Sequence, residues 1–166
     1  MLHWLKENSD KRVGKLQSLI NETSTNELRL DFSSKSLILL GEWLYDILET
    51  RLISEEEIAE IEERMPEWVK AGMERRTKRL TEKSISISFD TAIYFGLTLL
   101  RNHPELKCSV HKGGKLDIDH NQPVIVGFKY SPFNPYQIIA TGAVLSIQEG
   151  DKNRLFELYN IWIEML

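Results

Sequence analysis

The chain has a single cysteine, Cys108, among 166 residues. No intrachain disulfide can form, which fits a reducing compartment. No apolar run approaches the ~18 residues that a bilayer-crossing helix requires, so no membrane partner is expected. The first residues, Met-Leu-His-Trp-Leu-Lys-Glu-Asn, meet charge before any apolar stretch, unlike a secretory leader. A cytoplasmic location is the expectation. There is no Gly-x-Ser-x-Gly elbow and no Walker-type lysine pattern. Gly113-Gly114 precedes a strand-like run rather than a helix, so it reads as a hairpin turn and not a phosphate cradle. Positive charge is not in excess. The formal charge is -4, which weighs against a general nucleic-acid binder. Repeats, low-complexity tracts and linkers are also missing, so residues 1–166 read as one domain.

What is present is an ordinary globular composition, 42% apolar and 28% charged. Leu5, Val13, Leu16, Leu19 and Ile20 form a first helical stripe, and Leu28, Leu30 and Phe32 a brief strand or extended lead-in. Ser33 or Ser34 can cap a helix whose stripe is Leu37, Leu40, Leu44, Ile47 and Leu48. Ser54 and Glu57 form a capping box, with Ile53 and Ile58 at staple positions. Pro66 should break or kink that helix near Met65, with a further helix running to about Glu82. Ile85 and Ile87 alternate with serines, so Ser88 is read as the next cap, before a helix that stops at Asn102-His103-Pro104.

The β signal lies between residues 106 and 130. Leu106–His111, Lys115–Asp119 and Val124–Phe128 predict a small antiparallel sheet of two or three strands. Asn134 then caps a helix with Pro135 at its first position, Gly150 ends it, and Asp151 or Asn153 starts a last helix carrying Leu155, Leu158, Trp162 and Met165. The fold class is α+β and predominantly helical, with six to seven helices. Trp4, Trp43, Trp68 and Trp162 lie on or beside apolar stripes and read as core or groove residues.

Few residues suggest chemistry. Cys108 and His111 have a spacing seen in zinc loops, with Asp117, Asp119 and His120 nearby. The second close ligand pair of a structural zinc site is missing. The plainer reading is a small buried cysteine and two exposed histidines. As thiol and base, Cys108 and His111 would point to opposite faces of a strand. No catalytic, cofactor-binding or metal-ligating residue is assigned, no cofactor is expected, and the chain reads as a non-enzyme.

Charge patterning is the one unusual feature. Residues 55–67 carry Glu55, Glu56, Glu57, Glu60, Glu62, Glu63 and Glu67 against Arg64, a net -6. Residues 70–83 carry Lys70, Arg75, Arg76, Lys78, Arg79 and Lys83 against Glu74 and Glu82, a net +4. One reading is helix stabilisation through the macrodipole and pairs such as Glu60–Arg64, Glu74–Lys78 and Glu82–Lys78. The sharper reading is a partner surface of Glu56, Glu60, Glu63, Glu67, Arg75, Arg76 and Arg79, facing a charged protein or a second copy. No aromatic residue interrupts Lys70–Lys83, so a base-stacking platform for RNA is lacking.

Asp31-Phe32-Ser33-x-x-Ser36-Leu37, Ala92-x-Tyr94-Phe95-Gly96-x-Thr98-x-x-x-Arg101-Asn102, Asn134-Pro135 and Leu158-Tyr159-x-x-Trp162 together resemble a group of uncharacterised bacterial proteins. Some of these are immunity-type proteins encoded beside polymorphic toxins. Such proteins often have an acid after the glycine of Tyr-Phe-Gly, where this chain has Leu97. The resemblance brings no catalytic residues. It implies a protein-binding domain of immunity or inhibitor type, with a toxin as the partner. The alternatives are a small-molecule binder or enzyme whose site assembles from distant residues, and a helical homo-oligomer such as a homodimer.

Overall fold

A computed structural model describes residues 2–65, 78–114 and 117–166, with side chains from residue 7 onward. The fold is predominantly helical α+β, as the sequence predicts. Six helices and two small antiparallel sheets occur among the described residues. The helices are α1 (Leu2–Thr23), α2 (Ser34–Ile47), α3 (Glu55–Arg64), α4 (Glu82–Asn102), α5 (Pro135–Glu149) and α6 (Arg154–Ile163). None is long and apolar enough to cross a membrane.

Local chemistry explains most boundaries. Ser33 caps α2 by accepting from Ser36 N, and Ser54 and Glu57 complete the capping box of α3. The last residue of α3 is Arg64, and Met65 is extended with ψ 136°, as the residue before a proline prefers. Asn134 caps α5 with Pro135 in its first turn, and Gly150 closes it at φ +72°, a conformation glycine adopts without Cβ strain.

Helix α4 is central, packing on α1 and α5, while α2 packs on α6. It begins six residues before the expected cap. Thr81 is the N-cap and accepts from Ser84 N, so Ile85 and Ile87 are helical and Ser88 lies inside the helix. The alternation of serine and isoleucine was misleading because the segment is helical, with Ser86 exposed and Ser84 and Ser88 buried. Ser84 and Ser88 are buried with Thr91, Phe95 and Thr98 along one side. Thr91 and Thr98 hydroxyls donate to the carbonyls of Ile87 and Tyr94, which lets these polar side chains sit in the core. Arg12 of α1 pairs with Asp90 of α4, and burial is the main influence on that carboxyl, raising its pKa against the pull of Arg12.

Two strands were not foreseen. β1 (Thr50–Leu52) and β2 (Lys78–Leu80) pair antiparallel, with Arg51 opposite Arg79. The expected helix from Pro66 to Glu82 is therefore wrong at 78–80, and its part over 66–77 lies outside the described residues. Three-residue strands rich in charge carry no usable period, and their pairing is non-local. The second sheet joins β3 (Lys107–Val110) to β4 (Pro123–Val126), inside the predicted region. The predicted strand at 115–119 is corrected where it is described. Residues 117–121 form a turn, because the Asp117 carboxylate accepts from Asp119 N and closes the backbone on itself. Phe133 bridges to Ile125 instead.

The core holds Leu16, Leu37, Leu40, Tyr94, Phe95, Leu99, Phe133 and Ile139. Trp43 and Trp162 are buried, as expected, while Trp4 and Trp68 lie outside the described side chains. The last turn is docked through the Lys129 N–H donating to Met165 O at 2.9 Å.

Candidate functional site

The charged region is built on the β1–β2 ribbon and α3. Helix α3 buries only Ile58, which is 7% exposed, and Ile53 is half-buried beside it. Glu56, Glu60 and Glu63, three of the expected partner residues, are exposed. Glu67, Arg75 and Arg76 lie outside the described residues. Arg79 is not displayed as expected. It is turned onto Glu57, with Nη1 donating to Oε1 at 2.8 Å. Arg51, paired with Arg79 across the ribbon, grips the same carboxylate from two nitrogens at 2.7 and 2.6 Å. Two guanidiniums brought together by strand register share one acid, and that acid also completes the helix cap by accepting from Ser54 N at 3.1 Å. The expected pairs Glu60–Arg64 and Glu82–Lys78 do not form. Lys78 is on a strand, so the helical spacing to Glu82 is lost. Leu52, 71% exposed, and Ile61, 41% exposed, add apolar surface to the region.

Arg51 chiefly, then the Ser54 N–H, hold the Glu57 carboxyl at about 2, below its ordinary 4.5. A depressed folded pKa means a contribution present above about 4.5 and lost as pH falls through about 2. The stability difference between wild type and Glu57→Gln should therefore be constant above pH ~5 and close between about 4.5 and 2. Urea midpoints measured across that range check this. A gap that stays constant to pH ~2 would show that Glu57 is not held this way.

The candidate metal residues are placed differently from one another. Cys108 is exposed on β3 and His111 and His120 are partly buried, which corrects the expected burial of both types. His111 Nε2 meets Asp117 Oδ2 at 2.7 Å, His120 Nδ1 lies 2.8 Å from Gly113 O, and Asp119 Oδ1 accepts from Asn134 Nδ2 at 2.6 Å. The Asp119 N–H first, and His111 second, keep the Asp117 carboxyl below its usual range. These bonds fold the loop after β3 and fasten it to the cap of α5. Among the described residues no group of three or more His, Cys, Asp or Glu side chains is arranged to hold a metal.

The segments behind the bacterial resemblance converge elsewhere. Phe32 has φ +62°, an uncommon conformation for an aromatic residue. Its N–H donates to Tyr94 Oη at 2.8 Å, and its carbonyl accepts from Asn102 Nδ2 at 2.9 Å. The Arg101 guanidinium lies 3.5 Å from the ring centroid of Phe32. Tyr159 Oη is 3.0 Å from His103 Nε2 and 3.4 Å from Asn102 Nδ2. The sequence marks Phe32 as part of an extended lead-in and Asn102-His103 as a helix stop, and the others only as letters of the resemblance. Their joint role is to lock the entrance of α2 to the exit of α4 and to α6.

No protein-family model, no curated protein and no solved structure matches the chain. The class defined by the structure is thus a predominantly helical α+β domain with an outlying acidic helix.

Proposed function

We propose that the chain is a non-enzymatic protein-binding domain of immunity or inhibitor type, docking a basic partner surface through the exposed face of α3. The observation that carries this is the division of labour among the acids. Glu57 is consumed in anchoring α3 to the ribbon, while Glu56, Glu60 and Glu63 face solvent. A helix held in place before encounter gives up little freedom on binding. Opposite charge on a partner would speed encounter and set orientation. Leu52 and Ile61 supply the apolar area that charge alone does not. The immunity-type resemblance agrees with a protein target, and a toxin encoded nearby is the partner it suggests.

Tagged protein from the native host should retain a protein partner at low salt and release it as ionic strength rises. The triple variant Glu56→Lys, Glu60→Lys, Glu63→Lys should weaken retention roughly 10- to 100-fold, since like charges then face each other. Its melting temperature should move by less than ~2 °C, because surface substitutions are nearly neutral. Retention unaffected by the triple change would remove α3 from the interface. Recovery of no protein, with no toxin gene beside the locus, would remove the function.

A further inference from the structure

A cleft opens where α2, α5 and α6 meet α4. Leu44, Leu48, Ile139, Ala143, Leu155 and Leu158 give it apolar walls. Its hollow is about 390 Å³ counting the open mouth, but the centre of a water-sized body can move through only about 20 Å³ of it. An occupant therefore has few non-hydrogen atoms. Ser88 of α4 lines this space and is 1% exposed, and its Oγ has no hydrogen-bond partner. A buried hydroxyl left unpaired is costly and calls for an external partner. Of the other two hydroxyl-bearing residues on the lining, Tyr45 and Ser146, the Ser146 hydroxyl is already used in donating to Asp151 O.

The mouth decides the charge of the occupant. Lys152 Nζ is paired with Asp46 Oδ1 at 2.8 Å, and Arg154 is paired with Glu149 and, at 3.2 Å, with Asp151. Both cations are charge-paired with nearby carboxylates, so an anion finds no unpaired charge there, although the Arg154 Nε–H makes no hydrogen bond to the described residues and is a further donor on the lining. A charged group inside the apolar walls would also be poorly solvated. We propose that the cleft is a binding site for a small neutral aliphatic alcohol, its hydroxyl on Ser88 Oγ and its short chain along Ile139, Ala143 and Leu158. A hydroxyl suits Ser88 because each can both donate and accept. This site is the assembled kind, drawn from four helices, and it stands independently of the protein-binding reading.

1-Propanol is the probe, followed through the methyl resonances of Ile139, Ala143 and Leu158. With four non-hydrogen atoms at a ceiling of about 1.5 kcal/mol each, 1-propanol binds no tighter than roughly 40 μM, and ordinary efficiency puts it in the millimolar range. The shifts should saturate, and Ser88→Ala should weaken binding about tenfold, the loss of one hydrogen bond. Ala143→Leu, which fills the cleft, should abolish saturation. Without alcohol, Ser88→Ala should leave the melting temperature unchanged or raise it, since the hydroxyl removed has no partner. Shifts that grow linearly without saturating, or an affinity unchanged in Ser88→Ala, would overturn the site. So would a long-lived water at Ser88 that 1-propanol does not displace, or a melting temperature lowered by more than ~3 °C in Ser88→Ala.

Discussion

Phe133→Ala is expected to lower the unfolding free energy by about 3–5 kcal/mol, the range for removing a fully buried aromatic ring. Phe133 is 0% exposed. Its ring centroid lies 4.6 Å from that of Trp162, 5.6 Å from Phe95 and 6.2 Å from Phe128. These rings belong to α6, α4 and the loop after β4, so one side chain joins three parts of the fold. Its backbone meanwhile exchanges hydrogen bonds with Ile125 at 2.7 and 2.8 Å, fixing the ring's position against β4. Truncation to alanine keeps that bridge and leaves a cavity that tilted, interlocked rings cannot close by sliding. Phe133→Leu should cost less, about 1–2 kcal/mol, because part of the volume returns. Urea unfolding followed by circular dichroism measures both. A loss below ~1 kcal/mol for the alanine variant would mean that the aromatic cluster is not the keystone of this end of the core.

The position of Phe133 shows what was legible in the sequence and what was not. The turn expected over residues 132–135 does not occur, because Phe133 is extended in a bridge with Ile125. Asn134-Pro135 announces a helix start through residues whose backbone preferences are intrinsic, and it occurs. The same holds for the Ser54–Glu57 box, the break before Pro66 and the Gly150 terminus. Each is decided within four or five residues. The failures share the opposite character. The Arg51–Arg79 register needs contacts across more than twenty residues, and nothing local in Thr50–Leu52 reports it. Ser88 reads as a cap because residue type alone cannot tell that a small hydroxyl inside a helix will be enclosed by neighbouring helices, as Ser84 and Ser88 are. Asp117-Ile118-Asp119 alternates like a strand, yet a carboxylate that can bond its own backbone overrides the period.

The candidate surface was legible by charge and illegible by role. Seven acids in residues 55–67 look equivalent in sequence. In the fold Glu57 is anchored by two arginines, whereas Glu56, Glu60 and Glu63 are presented outward. Arg79 was counted among the presented residues and is instead part of the anchor. The distinction comes from the capping geometry, which places the third residue of the helix back against the chain entering it. The capping box was visible beforehand. Its consequence for the neighbouring strand was not.

Tyr94→Phe is expected to cost about 1–3 kcal/mol for the loss of a single oxygen. Ser36 Oγ donates its proton to Ser33 O at 2.7 Å, so in the 2.6 Å contact between the two hydroxyls Tyr94 must be the donor. A directed chain results, running from the Phe32 N–H to Tyr94, from Tyr94 to Ser36, and from Ser36 to the Ser33 carbonyl. Burial is the main influence on the Tyr94 phenol and raises its pKa, which keeps it protonated and able to donate. Phenylalanine would fill the same space while leaving the Phe32 amide without its acceptor and Ser36 without its donor. The φ of +62° at Phe32 is strained for that residue and persists only while its surroundings hold it. Hydrogen exchange can separate this from a general loss of packing. In Tyr94→Phe the Phe32 amide should exchange far faster, while amides inside α5 change only as global stability dictates. If the Phe32 amide stays as protected as in wild type, the phenol is not what holds the strained turn, and the Asn102 bond and the Arg101 stack must suffice.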